Sequence, residues 1–80
     1  MATYVVLIKK FEDETRVVYK FGPSEENLGE IEFNKKTEDF TELVGVTRDP
    51  QGHDFMRAVS ALVKCYRSGE GFPDRTFFAS

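Results

Sequence analysis

Cys65 and His53 are the one thiol and the one imidazole in this 80-residue sequence, and so its only obvious pairing of a nucleophile with a base. Nucleophilic catalysis needs the two within hydrogen-bond reach, and usually a third group to orient the base. Placed on one helix, the twelve residues between them amount to about 18 Å at 1.5 Å per residue, so they cannot act together. Cys65 flanks an apolar stripe and reads as a small packed thiol. Asp49, His53 and Asp54 could gather round an ion from one loop, but they follow neither a calcium-loop spacing nor a His-Glu-x-x-His spacing. One cysteine with one histidine cannot build a zinc tetrahedron, and loop and helix capping account for the two aspartates. No catalytic residue, metal or cofactor is expected, and the chain reads as a non-enzyme.

The remaining chemistry is that of recognition. Residues 24–43 hold seven carboxylates, Glu25, Glu26, Glu30, Glu32, Glu38, Asp39 and Glu42, against Lys35 and Lys36, a local charge of −5 that leaves the rest of the chain slightly positive. Glu30 and Glu32 alternate with Ile31 and Phe33, as on the solvated side of a half-buried strand. With Glu25, Glu26 and Glu42 they form a candidate acidic surface for a basic protein partner, since complementary charge steers encounter. Arg57, Lys64 and Arg67, with Tyr66 near them, could touch phosphate. Three cations are few for such a footprint, and the formal charge of −3 with a pI near 5.1 opposes it. Gly69 and Gly71 end a helix instead of opening one, so they make no phosphate cradle.

These residues need elements to position them. Tyr4–Ile8 is a β-branched and aromatic run, and in Arg16–Phe21 the residues Val17, Tyr19 and Phe21 alternate with Arg16, Val18 and Lys20. The two make a hairpin over the polar link Glu12-Asp13-Glu14, the more apolar first run lying inside the sheet. Gly22-Pro23-Ser24 breaks the second strand, and residues 23–27 could wind one helical turn before Gly29. Glu30–Phe33 and Phe40–Val46 predict a second hairpin around a polar turn, of a register the turn residues do not define.

Asp49 and Asp54 compete as helix caps. Asp54 is favoured, with the helix starting at Phe55, because Gly52 would weaken an earlier first turn by about 1 kcal/mol. Phe55, Val59, Leu62 and Tyr66, widened by Ala58 and Val63, form an apolar stripe, with Arg57, Ser60, Lys64 and Arg67 opposite and Ser68-Gly69 as the stop. The tail 70–80 shows no helical or strand period, yet it carries three of the eight Phe. Its rings are expected to pack on the domain or on a partner, with Phe77 and Phe78 as candidates for self-association.

The fold expected is therefore α+β in one domain, residues 1–80: an antiparallel meander of about four strands, one amphipathic helix and an aromatic C-terminal tail. A chain this short buries only about 60% of its unfolded surface, so its aromatic residues carry much of the core. The lone cysteine, the early and short apolar run at the N-terminus and the lack of any stretch near 20 apolar residues point to a cytoplasmic chain with no membrane span.

The segments Phe21-Gly22-Pro23-Ser24-Glu25-Glu26-Asn27-Leu28-Gly29-Glu30-Ile31 and Gly71-Phe72-Pro73-Asp74-Arg75-Thr76-Phe77-Phe78-Ala79-Ser80 are similar to parts of a family of short uncharacterised bacterial single-domain proteins. The resemblance covers residues 16–80 and implies a compact bacterial domain with no activity to carry over. Such proteins end the polar turn between strands in Thr-Gly, where this chain has Thr37-Glu38. The function expected is a small protein-binding module using an acidic sheet surface, by analogy the kind of surface with which immunity proteins meet basic toxins. The alternatives are a self-associating structural or regulatory domain, a homodimer for instance, and weak nucleic-acid binding through the basic helix face.

Overall fold

The computed structural model describes residues 4–46 and 52–79. Five strands, β1 (Tyr4–Glu12), β2 (Arg16–Ser24), β3 (Asn27–Asn34), β4 (Asp39–Val44) and β5 (Arg75–Ala79), form one antiparallel sheet in the order β4-β3-β2-β1-β5. Among the described residues one helix, α1 (His53–Ser68), lies between β4 and β5 in the chain and packs against β1, β2 and β5. This is the expected α+β meander, enlarged by a fifth strand.

Period-two alternation gives the sheet its two faces. Val5, Leu7, Val17, Tyr19, Phe21, Ile31 and Phe33 point to one side and form the core with Val46, Ala58, Ala61 and Leu62. Residues of the opposite parity, among them Val6, Val18, Glu30 and Glu32, point to the side without a helix. The Tyr19 hydroxyl, wholly buried, donates to the Pro73 carbonyl, which ties the start of β5 to the middle of the sheet. Burial pushes the Tyr19 phenol well above its ordinary value.

Local chemistry sets the turns. The Asp13 carboxylate accepts from the Thr15 and Arg16 amides at 2.8 and 2.9 Å and from the Thr15 hydroxyl at 2.8 Å, which closes the first hairpin and holds the Asp13 carboxyl below its ordinary value. At the β3–β4 turn Asn34 Oδ1 accepts from the Lys36 and Thr37 amides at 2.9 and 3.0 Å, and the Glu38 amide donates to the Asn34 carbonyl at 2.7 Å. These bonds define the register left open by the sequence, with Asn34 opposite Asp39 and Phe33 opposite Phe40. Glu38 sits there at φ 62, the left-handed region that glycine ordinarily fills.

Four expectations change. Residues 23–27 form no helical turn: β2 runs on through Pro23 to Ser24, and a tight Glu25-Glu26 turn leads into Asn27. Pro23 is tolerated because the ladder is already irregular between Phe21 and Ser24, at a bulge where a proline costs no ladder hydrogen bond. β-carbons at Gly22 and Gly29 would strike the carbonyl oxygens of Asn27 and Val44, so both glycines are demanded by close backbone approach.

The helix starts at His53 and not at Phe55; its N-cap is Gly52, in the left-handed conformation at φ 70 without a side-chain cap. Asp54 lies inside the first turn, bonded to Arg57 at 3.2 Å, where its charge favours the helix dipole. The Asp49 alternative lies outside the described residues. The buried line of the helix is Ala58, Ala61 and Leu62, with Tyr66 at its rim, because small residues let the helix approach the sheet closely. Finally, residues 75–79 are a strand rather than an irregular tail. β5 pairs with β1 over Tyr4–Ile8, which places β1 inside the sheet.

Candidate functional site

Cys65 and His53 both lie on α1, twelve residues apart. Cys65 is half-buried beside a recess of about 200 Å³ formed with Ser68, Gly71, Phe72 and Pro73. Burial pushes its thiol up, against a smaller opposite pull from a hydrogen bond with Thr76, so the reactive thiolate is disfavoured. Among the described residues no group of three or more His, Cys, Asp or Glu converges as a metal site would require. No described helix is long and apolar enough to cross a membrane.

The five glutamates do not make one patch. Glu30 and Glu32 share the helix-free face, but Lys10 holds Glu30 at 3.0 Å and Arg16 holds Glu32 at 2.9 Å. Glu25, in the β2–β3 turn, pairs with Arg75 on β5 at 2.5 Å, reaching across β1. Glu26 is exposed in the same turn, and Glu42 stands on β4 opposite the inward-facing Ile31. The cations come from β1, β2 and β5, outside the acidic stretch, and hold three of the five glutamates in ion pairs.

Beside these ion pairs the helix-free face presents large apolar side chains. Tyr4 is 51% exposed, Phe11 43%, Leu43 47% and Phe77 59%. Tyr4 and Phe77 stack with centroids 5.7 Å apart, and the Arg16 guanidinium lies 5.3 Å over the Phe11 ring. Phe11 reaches this face through the bulge between Lys9 and Phe11, which sets it opposite Val18. Lys10, Phe11, Arg16, Val18, Glu30 and Leu43 enclose a shallow groove of about 400 Å³ whose floor, Val18, is buried.

A second recess of about 240 Å³ opens between α1 and the β3–β4 turn, lined by Phe33, Phe40, Val63, Tyr66, Glu38 and Arg67. Its rings belong to a continuous cluster: Phe33 meets Phe40, Tyr66 and Phe72 at 4.7, 5.2 and 5.6 Å. The Tyr66 hydroxyl donates to Glu38 at 3.1 Å, and that bond raises the Tyr66 phenol above its ordinary value. The left-handed backbone of Glu38 is thus matched by a side chain that ties the turn to the helix.

Phe77 and Phe78 separate: Phe77 points out beside Tyr4, whereas Phe78 packs against the core. Arg57, Lys64 and Arg67 lie along α1, with Arg57 engaged by Asp54. Sequence reasoning missed Tyr4, Phe11 and Leu43. The signal available was a run of large apolar residues on strands that one helix could not cover on both sides. Comparison with protein-family models, curated proteins and solved structures finds no match for this chain.

Proposed function

We propose that this protein is a non-enzymatic protein-binding module whose contact surface is the helix-free face of the sheet. The carrying observation is the set of large side chains standing in water there: Phe11 and Leu43 beside the buried floor of Val18, and the stacked pair Tyr4 and Phe77 toward β5. Aromatic rings interleaved with arginine and surrounded by charge are the composition of interface hot spots. Large apolar side chains left in water on an open sheet face cost solubility and are accounted for by a partner. The ion pairs Lys10–Glu30 and Arg16–Glu32 flank the groove as a polar rim, so the partner it fits has an apolar anchor with mixed charge around it, in place of a uniformly basic surface.

The test is affinity capture on the immobilised chain, followed by chemical cross-linking of whatever is retained. Retention of one protein, with cross-links to Lys10 and Lys20 and loss of capture in a Phe11→Ser, Leu43→Ser double variant, supports the reading. Capture that survives the double variant, or cross-links confined to Lys64 on the helix, contradicts it.

A further inference from the structure

We infer that two copies of this chain associate through β5, edge to edge, forming a continuous ten-stranded antiparallel sheet with a two-fold axis at Phe77. The two edges of the sheet are built differently. β4 carries Asp39 and Glu42 and is thrown out of register by a bulge opposite Glu30 and Ile31, devices that prevent strand pairing. β5, Arg-Thr-Phe-Phe-Ala, has no proline, no bulge and one charge, and that charge is already held by Glu25. An unprotected run of β-formers at a sheet edge is a template for another strand.

The ladder shows which groups are on offer. The Lys9 amide donates to the Asp74 carbonyl at 2.7 Å, continuing the β1–β5 register that pairs Ile8 with Arg75. Bonded and non-bonded pairs alternate in an antiparallel ladder, so Leu7–Thr76 and Val5–Phe78 are bonded pairs. The amides and carbonyls of Arg75, Phe77 and Ala79 therefore point away from β1, toward the open edge. A second β5 meets them in full overlap when Phe77 lies opposite Phe77 of the second copy and Arg75 opposite its Ala79, which forms roughly six backbone hydrogen bonds.

That register also suits the side chains. The two Phe77 rings become cross-strand neighbours, flanked by the two Tyr4 rings that already stack on them, in one aromatic row. The two Arg75 side chains end about 13 Å apart along the strands, beyond a Debye length of about 8 Å, so self-pairing brings no like-charge contact. A second copy thus satisfies the edge with no group left in conflict. The pairing engages Phe77 and Tyr4 at the β5 end of the face and leaves the groove at Phe11 and Leu43 open on each copy.

Sedimentation equilibrium of the full chain from micromolar to millimolar concentration tests this, together with two variants. The weight-average mass should rise from that of the 9.2 kDa chain to twice that value. Phe77→Pro removes an outward amide together with the ring at the two-fold axis, and proline is tolerated on an edge strand, so this variant should stay monomeric with an unchanged far-ultraviolet spectrum. Should it unfold instead, cross-linking decides: Phe77→Cys in a Cys65→Ser background should oxidise to a disulfide dimer, because bonded pairs set Cα atoms about 5.5 Å apart, within disulfide range. Thr41→Cys on β4 in the same background serves as the control and should not. A chain that remains monomeric at every concentration, leaving its edge for a strand of another protein, overturns the inference. So does a dimer that forms no Phe77→Cys disulfide.

Discussion

The two faces of the sheet use the same residue types to opposite ends. On the helix side Tyr19, Phe21, Ile31, Phe33 and Leu62 are all but excluded from water, and the one phenol among them is bonded to Pro73. On the other side Tyr4, Phe11, Leu43 and Phe77 stand about half in water, with Lys10 paired to Glu30 and Arg16 to Glu32. One helix covers one face only. Apolar area is thus spent on stability where it is removed from water, whereas on the open face it stays available to a second molecule.

The comparison is broken most severely by changes to the covered face. Phe21→Ala should cost about 3–5 kcal/mol and Leu62→Ala about 2–5 kcal/mol in urea unfolding, enough to remove much of the stability of so small a domain. Tyr19→Phe leaves the Pro73 carbonyl without its buried donor and should cost about 1–3 kcal/mol by the same measurement. On the open face Phe11→Ser and Leu43→Ser should each stay within about 0.5 kcal/mol of the parent, as surface substitutions generally do. Lys10→Ala, which frees Glu30 from a pair half open to solvent, should cost no more than about 1 kcal/mol, and the loss should shrink with added salt.

Titration sharpens the same contrast. Glu12 is held below its ordinary value by Lys35 and Lys9, at 2.6 and 2.7 Å, so the stability it contributes is present above the ordinary glutamate range and lost as pH falls through its depressed value. Glu12→Gln should flatten the acid limb of the urea midpoint against pH. Tyr19 acts in the other direction: its phenol is raised by burial, so its contribution is intact below about pH 10 and is lost as pH rises further. Tyr19→Phe should remove that alkaline dependence.

Much of this architecture was legible. Val17, Tyr19 and Phe21 alternate with Arg16, Val18 and Lys20, and Ile31 and Phe33 with Glu30 and Glu32; each set turned out to mark a core face. The helix was legible from Phe55 onward, but its first residues were not, because Gly52 caps by backbone conformation alone and the sequence offered Asp54 as the more familiar cap. β5 was hidden for a different reason. Its in-and-out alternation runs through Phe77 and Phe78, which face opposite sides with the same side chain, so no hydropathy period survives. The acidic stretch was read from neighbours in sequence, whereas Lys10, Arg16 and Arg75 reach it only through strand order. A surface made of side chains from four strands has no local signature.

The division of labour between the faces is tested most directly by urea unfolding of the Phe11→Ser, Leu43→Ser double variant beside Leu62→Ala. The double variant should unfold within about 1 kcal/mol of the parent, with Leu62→Ala well below both. A loss in the double variant equal to that of Leu62→Ala would show that the open face is part of the core, and would contradict the account.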